Sequence, residues 1–402
     1  MGEKNGRVCV TGAGGYVASW LIKILLSQGY DVHGTVRNPG DAKNAHLMNL
    51  ENAAEKLKLF KADLMDFDSI RAAVKGCDGV FHVASPVPPT SVPNPEVELV
   101  EPALKGTLNV LKACSEEKKV RRVVIVSSVA AVMMNPNWPK DQLMDETCWS
   151  DAEYCKATNN WYCFSKTVAE AEAWEYAKKN GLDVVTVCPA FVLGPMLQHA
   201  TNASSLALVK LLKEGYEEAE NKVRKIVDVR DVAEALKLVY EKPEAEGRYI
   251  CTAHTIKTQD MVQILREIYP NYNYPKRYKE GSDLAEMSSE KLQRLGWKYR
   301  TLKETLVDSY MLKYWPKSSL AQKPSSLDGG LSDLSPLGYP HHQPDPLPAC
   351  VACLCGVCLC GSVWESCNRE LGFAGLFACV ALGSVKSGTG YLSLLLHLDP
   401  NL

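Results

Sequence analysis

Short apolar runs of buried-strand length recur through the first two hundred residues, separated by longer stretches with helical spacing of apolar positions. Arg7-Val8-Cys9-Val10 reads as a strand, Ser19 to Gln28 as an amphipathic helix closed by Gly29, and Asp31 to Val36 as a second strand. Leu59 to Asp63, Val80 to Ala84, Val123 to Ser127 and Val184 to Cys188 continue the strand series, while Glu96 to Lys118 and Trp161 to Lys179 are the clearest helical stretches. Strands alternating with helices predict an α/β fold with a doubly wound parallel sheet covered on both faces. Ligands of such sheets bind beyond the carboxyl ends of the strands. That nominates Asp63-Leu64, Ala84-Ser85-Pro86, Ser127-Ser128 and Pro189-Ala190-Phe191 as lining segments, each of which also reads as an ordinary strand-to-helix turn.

The first strand and helix are joined by Thr11-Gly12-Ala13-Gly14-Gly15-Tyr16-Val17-Ala18. A glycine-rich turn there lets backbone approach a pyrophosphate, whose charge is stabilised at the helix N-terminus. The plainer reading is a tight turn with no ligand, and the complete strand-turn-helix-strand context argues against it. The second strand ends in Thr35-Val36-Arg37-Asn38, with no carboxylate to take a ribose 2′-hydroxyl; Arg37 suits a 2′-phosphate, and Lys43 adds a second charge within reach of the same loop. NADPH is therefore expected over NADH.

Tyr162 and Lys166 stand four apart at the start of a helical pattern, which puts both on one helix face about one turn apart. A cation beside a phenol favours phenolate, so Lys166 is expected to lower the Tyr162 pKa and make it a proton donor to a reducing carbonyl. Such pairs also occur on ordinary amphipathic helices; the nucleotide loop upstream gives this one its weight. Ser128, with Ser127 as the competing residue, offers a hydroxyl at a strand end to hold the carbonyl.

The chain has 402 residues with 45 basic and 47 acidic side chains. Residues 318–402 hold three basic and six acidic ones, which leaves the body nearly neutral and without the basic stripe of a nucleic-acid binder. No apolar leader precedes the first strand and Gly6 breaks the myristoylation pattern, so a cytoplasmic protein is expected.

From Val8 to Trp315 the chain resembles the extended short-chain dehydrogenase/reductases of plants, in the branch that contains cinnamoyl-CoA reductases and dihydroflavonol 4-reductases. The resemblance is carried by Val10-Thr11-Gly12-Ala13-Gly14-Gly15-Tyr16, Phe81-His82-Val83-Ala84-Ser85-Pro86, Asp145-Glu146-Thr147-Cys148-Trp149-Ser150-Asp151, Leu193-Gly194-Pro195, Val229-Arg230-Asp231-Val232-Ala233 and Gly247-Arg248-Tyr249-Ile250-Cys251. Asn160-Trp161-Tyr162-Cys163 and Lys166 match the reductases acting on cinnamoyl-CoA, with Phe164 and Ser165 in place of Tyr and Gly. Met133 stands where dihydroflavonol reductases use an Asn for substrate hydroxyls; a thioether cannot donate that hydrogen bond, which disfavours a flavonoid. Ala207 replaces a His of the acyl-CoA group, while its Lys is kept as Lys210.

The resemblance implies a Rossmann NADP-binding domain with the catalytic helix over 1–188 and a smaller substrate lobe over 189–317, some strands of which return to the main sheet. It implies Ser128, Tyr162 and Lys166 as the catalytic trio. The cofactor residues it implies are Gly12, Gly14, Gly15, Tyr16, Val17, Arg37, Lys43, Asp63, Leu64, Val83, Ala84, Ser85, Tyr162, Lys166, Pro189, Ala190, Val192 and Ser204. Met133, Asn160, Phe191 and Lys210 are expected at the substrate, a small phenolic thioester or carbonyl compound; no metal site, nucleic acid or membrane partner is expected. The expected reaction turns a hydroxycinnamoyl-CoA into the aldehyde and CoA; an aldehyde or ketone reductase and a nonenzymatic NADP(H) sensor are the alternatives.

The remaining polar residues read more simply. His82, inside an apolar strand, is expected as a satisfied core histidine, Asp231 as a helix N-cap, and Cys155 and Cys163 as buried thiols, with a redox-gated pair as the alternative. Residues 318–402 look like different material: a Ser/Pro/Gly/Asp-rich, disordered linker followed by five cysteines between Cys350 and Cys360. Translated non-coding sequence is favoured there over a thiolate metal cluster or a poor membrane span.

Overall fold

The computed structural model describes residues 5–87, 92–139, 141–213, 217–281 and 285–311; the expectations for 318–402 lie outside the described residues. The strands are β1 (Arg7–Val10), β2 (Asp31–Val36), β3 (Leu57–Lys61), β4 (Gly79–His82), β5 (Arg122–Val126), β6 (Val184–Pro189), β7 (Phe191–Leu193), β8 (Glu218–Asn221), β9 (Val223–Asp228), β10 (Gly247–Cys251), β11 (His254–Lys257) and β12 (Arg277–Glu280). The helices are α1 (Tyr16–Ser27), α2 (Ala45–Met48), α3 (Ala53–Lys56), α4 (Phe67–Val74), α5 (Glu101–Glu116), α6 (Ala152–Ala157), α7 (Trp161–Asn180), α8 (Ala203–Lys213), α9 (Val229–Glu241), α10 (Thr258–Ile268), α11 (Glu290–Arg294) and α12 (Leu302–Met311).

Seven strands form one parallel sheet in the order β10-β6-β5-β4-β1-β2-β3. Successive residues of a strand point to opposite faces, and both faces here are buried. In β1, Val8 and Val10 join a core with Leu21 and Ile22 of α1 and Val232 and Leu236 of α9, while Cys9 joins the opposite core with Ile70, Val110, Leu111 and Ala173 from α4, α5 and α7. The strand order reverses between β1 and β4, which opens the crevice where ligands of such sheets bind. A third core, around Leu193, Leu208, Leu211, Ile226, Met261, Leu265 and Tyr269, gathers β7, β9, α8, α10 and α12 outside the main sheet.

Of the element boundaries that differ from the pattern in the sequence, two have a clear physical cause. The stretch from Glu96 is a π turn over Glu96–Val100 before α5 begins, because Pro102 has no N–H to offer the Glu98 carbonyl. Helix α9 starts at Val229, and its N-cap is Asp228, which accepts from the Arg230 N–H at 2.8 Å. Asp231 is instead a buried residue inside the first turn, paired with the Arg300 side chain and accepting its backbone N–H at 2.8 Å.

Two buried polar systems tie the layers together. Thr11 Oγ1 accepts the Val83 and Ala84 N–H groups at 3.0 Å each, so its own proton goes to His82 Nδ1 at 3.0 Å. His82 Nε2–H then donates to Thr107 Oγ1 at 3.1 Å, and the Thr107 hydroxyl donates to the Ala103 carbonyl at 2.7 Å. This fixes one neutral tautomer and joins β1, β4 and α5; burial, helped by Lys166, depresses the His82 pKa from 6.5 to about 3. The second system is the ion pair of Arg248 on β10 with Glu170 on α7, at 2.8 Å, both nearly fully buried. Glu170 also accepts Ser127 Oγ at 2.6 Å and Thr186 Oγ1 at 2.7 Å, and Arg248 donates to the carbonyls of Ala131, Glu146 and Cys148.

Because the His82 pKa is depressed on folding, the unfolded chain takes up a proton that the folded chain refuses. The stability contributed above pH 6.5 is lost as pH falls toward about 3, by up to ~1.4 kcal/mol per pH unit. His82→Gln, which offers an acceptor to Thr11 and a donor to Thr107, is expected to lack this slope in urea midpoints measured between pH 7 and pH 4.5. Arg248→Met leaves Glu170 as an unpaired buried charge and is expected to destabilise by about 3–5 kcal/mol in chemical denaturation. The double replacement Glu170→Gln/Arg248→Met is expected to recover most of that loss.

Candidate functional site

The carboxyl ends of β1 to β6 bring most of the expected residues to one edge of the sheet. Gly12 adopts φ +68°, and a side chain there would press on Ala84 at 2.9 Å, so the loop after β1 requires glycine to pass the end of β4. A Cβ at Gly14 would overlap Asn44 Oδ1. The loop is tied to β2 through Gly12 N–H to Thr35 Oγ1 at 3.1 Å and Ala13 N–H to the Thr35 carbonyl at 2.9 Å. Gly15 is the N-cap of α1, without a side chain to accept the first-turn N–H groups and with no acidic residue in that turn. Those N–H groups at the positive end of the helix therefore suit a phosphate. Tyr16 and Val17 contribute through this backbone: the Tyr16 hydroxyl is committed to the Gly194 carbonyl at 2.8 Å.

Arg37 lies exposed immediately beyond β2, while the Lys43 ammonium is held by Asp41 at 2.8 Å. The Asp63 carboxylate accepts the Met65 N–H at 2.9 Å, and the Leu64 carbonyl takes Asn109 Nδ2 at 2.8 Å. Val83 and Ala84 are set by Thr11, as above, and Ser85 lines a cavity with Lys166. Pro189 ends β6, Ala190 N–H bonds the Cys251 carbonyl at 3.0 Å, and Ser204 Oγ donates to the Val192 carbonyl at 2.6 Å.

At β5 the two serines part. Ser127 Oγ donates to Glu170 at 2.6 Å and is buried, whereas Ser128 stands beside the Tyr162 phenol. Only Ser128 therefore meets the tyrosine side chain that the helix spacing singled out. Lys166 lies one turn from Tyr162 on α7 and donates to the Val126 carbonyl at 3.3 Å. The expected lowering of the Tyr162 pKa by Lys166 is not what the geometry gives. Burial raises it, the Ser128 interaction partly opposes that, and the lysine ammonium is turned to backbone instead. Tyr162 is thus a protonated phenol at neutral pH, and burial draws the Lys166 pKa down to about 8 against the opposing influence of Glu170 and Cys188.

The expected substrate residues are less gathered. Met133, like Tyr162 and Phe164, packs against the cluster of Ala130, Cys155 and Cys163, and the Phe191 ring lies 5.7 Å from the Arg224 guanidinium. The Asn160 amide turns back to Thr158, while Ala207 and Lys210 are exposed on α8. Cys155 and Cys163 are free and buried, and burial raises both thiol pKa values, that of Cys163 to about 12, which disfavours a reactive thiolate at either. Among the described residues no group of three metal-ligating side chains occurs. Sequence reasoning missed Thr11, Glu170 and Arg248, whose partners are distant in the chain. It also missed Gln198, whose buried amide oxygen and nitrogen have no partner among the described residues. The Leu-Gln within Leu193 to Ala203 carried no spacing signal that would have flagged it.

Comparison with known proteins places this geometry. Residues 8–251 match the NAD dependent epimerase/dehydratase family. The chain is 49% identical to cinnamoyl-CoA reductase 1 of Petunia hybrida over 317 residues, covering 77% of this chain and 92% of that protein. It is 43% identical to tetraketide alpha-pyrone reductase 1 of Arabidopsis thaliana over 312 residues, 77% and 95% of the two chains. Among solved structures, vestitone reductase from alfalfa (Medicago sativa) is 34% identical with a TM-score of 0.66, covering 76% of this chain and 97% of that one. A yeast methylglyoxal/isovaleraldehyde reductase complexed with NADPH is 28% identical with a TM-score of 0.66, covering 75% and 96%. The chain belongs to the NAD dependent epimerase/dehydratase family and is a cinnamoyl-CoA reductase-like oxidoreductase that uses a nicotinamide cofactor.

Proposed function

We propose that the protein is an NADPH-dependent, cytoplasmic reductase that converts a hydroxycinnamoyl-CoA thioester to the aldehyde and free CoA. The observation that carries the chemistry is Ser128, beside the Tyr162 phenol, with Lys166 one turn further along α7. The likeness to cinnamoyl-CoA reductases supports the substrate class. The uncapped start of α1 suits the cofactor pyrophosphate, and exposed Arg37 suits a 2′-phosphate. Among the described residues no helix is long and apolar enough to cross a membrane.

A nicotinamide cofactor held at the first turn of α1 would supply a hydride to the carbonyl carbon. Ser128 holds the carbonyl oxygen, and Tyr162, kept protonated by burial, delivers its proton as that oxygen gains charge. Lys166, charged below about pH 8 and one turn along α7 from the phenol, would hold the nicotinamide ribose. Collapse of the resulting thiohemiacetal releases CoA. We assign residues 1–188 mainly to cofactor binding and catalysis, and the lobe around the Leu193, Ile226 and Leu265 core, within 189–317, to the substrate. Ala207 favours a second reading, reduction of an aldehyde or ketone to an alcohol, because it places a methyl where the acyl-CoA group has an imidazole.

NADPH oxidation by the full chain with hydroxycinnamoyl-CoAs, aromatic aldehydes and dihydroflavonols in parallel tests these readings. CoA release is expected with the thioesters, and its absence alongside aldehyde turnover would overturn the primary one. Tyr162→Phe and Ser128→Ala are expected to lose at least about 100-fold in kcat, whereas Ser127→Ala is expected to lower thermal stability first. Arg37→Ala is expected to weaken NADPH about tenfold or more and leave NADH nearly unchanged, read by fluorescence titration with each cofactor.

A further inference from the structure

Glu170 stands one turn beyond Lys166 on α7, on the face packed against the sheet, and is only 2% exposed. Both residues line a small, partly open cavity of about 20 Å³, roughly the space of one water, together with His82, Ser85, Thr107 and Ser127. The groups facing Lys166 from every packed element are few. From β4, His82 spends both ring nitrogens on threonines and is kept neutral by burial. From β6, burial keeps Cys188 a neutral thiol, and from α7 itself Tyr162 is a neutral phenol. From β5 comes the Val126 carbonyl, 3.3 Å from the ammonium. Arg248, on β10, is a second cation, bound directly to Glu170 at 2.8 Å. Among the described residues in this cluster, Glu170 is the carboxylate set against two buried cations.

We infer that Glu170 is a positioning residue for the reduction: its carboxylate, fixed by Arg248, Ser127 and Thr186, holds the Lys166 amine in its charged form beside Val126. The inference rests on the role given above to Lys166 and Tyr162. Burial alone pushes Lys166 toward the neutral amine, and the Glu170 carboxylate is the main influence opposing it. Without the carboxylate, Lys166 would face an uncompensated Arg248 as well as the cost of burial.

The test is Glu170→Gln in the full chain, with NADPH affinity by fluorescence titration and NADPH oxidation with the best substrate, each followed from pH 5.5 to 9.5. Wild type is expected to show an alkaline limb near pH 8 in both. In the variant both limbs are expected to move down by at least about one pH unit, so that affinity and turnover at pH 8 fall roughly tenfold relative to pH 6. An unmoved limb, or a loss equal at every pH as from general loosening, overturns the inference. If the single variant does not fold, Glu170→Gln/Arg248→Met, which removes both buried charges, carries the same measurement. The binding limb needs no turnover: a shifted limb in a protein that reduces no substrate supports Glu170 and removes the reductase reading, and an unmoved limb beside normal turnover does the reverse.

Discussion

The carboxylate of Glu170 is a charge withdrawn almost wholly from bulk water, and several layers of the fold contribute to making it tolerable. Its helix, α7, also carries Tyr162 and Lys166, and its partners come from three adjacent strands: Ser127 at the end of β5, Thr186 on β6 and Arg248 on β10. Arg248 in turn collects the Ala131, Glu146 and Cys148 carbonyls, so the segment that follows Ser128 is anchored to the same point as the helix that faces it. A buried pair of this kind is weak evidence for net stability, because desolvation offsets most of its Coulomb energy. What it supplies is a single register. Slipping α7 by one residue against the sheet would leave two opposite charges buried apart.

The electrostatics around that anchor run toward neutrality. Burial raises the Tyr162 pKa, depresses those of Lys166 and His82, and holds Cys188 as a thiol. The positive features lie at the rim: the uncapped first turn of α1 and exposed Arg37. An anionic cofactor would thus meet fixed dipoles and a peripheral cation, while the proposed proton donor is kept protonated by burial. Pairs of groups whose surroundings push their pKa values in opposite directions are how such sites divide acid and base roles.

What could be read in the chain followed from local physics. The apolar runs around Val8, Val32, Val80, Val123 and Val184 became the parallel sheet, because strands buried on both faces need no alternation. The glycine loop was legible because φ +68° at Gly12 and the approach of Ala84 admit no side chain. The misplaced N-cap at Asp231 shows where such reading stops. Asp228 and Asp231 have the same chemistry three residues apart, and Arg300, sixty-nine residues downstream, is what draws Asp231 into a buried pair and leaves the cap to Asp228. Ser127 competed with Ser128 for the same reason, since Glu170, which takes the Ser127 hydroxyl, lies forty-three residues away from it. The shift of Tyr162 in the opposite direction to that expected has a similar origin. Helix spacing brings Lys166 near the phenol, but the Val126 carbonyl, supplied by another strand, takes the ammonium.

In the mechanism proposed above, thioester and aldehyde reduction would make the same demand on Ser128, Tyr162 and Lys166: one oxygen held, one proton delivered. Neither the carboxylate behind Lys166 nor the cofactor loop distinguishes a sulfur leaving group from a hydrogen on the same carbonyl carbon. Discrimination must therefore arise where the rest of the substrate lies, among side chains that touch neither hydride nor proton. On the reading proposed above, the residues for that are on the separate core of β7, β9, α8 and α10. Phe191 sits against the Arg224 guanidinium there, and α8 shows solvent a methyl at Ala207 and an ammonium at Lys210. An apolar ring beside a half-buried cation suits a flat phenolic body with negative charge at a distance, and an acyl-CoA carries its charge in that way. A neutral aldehyde would use the ring and leave the cations idle, so for it the two sites would differ in binding energy while the chemistry stayed the same.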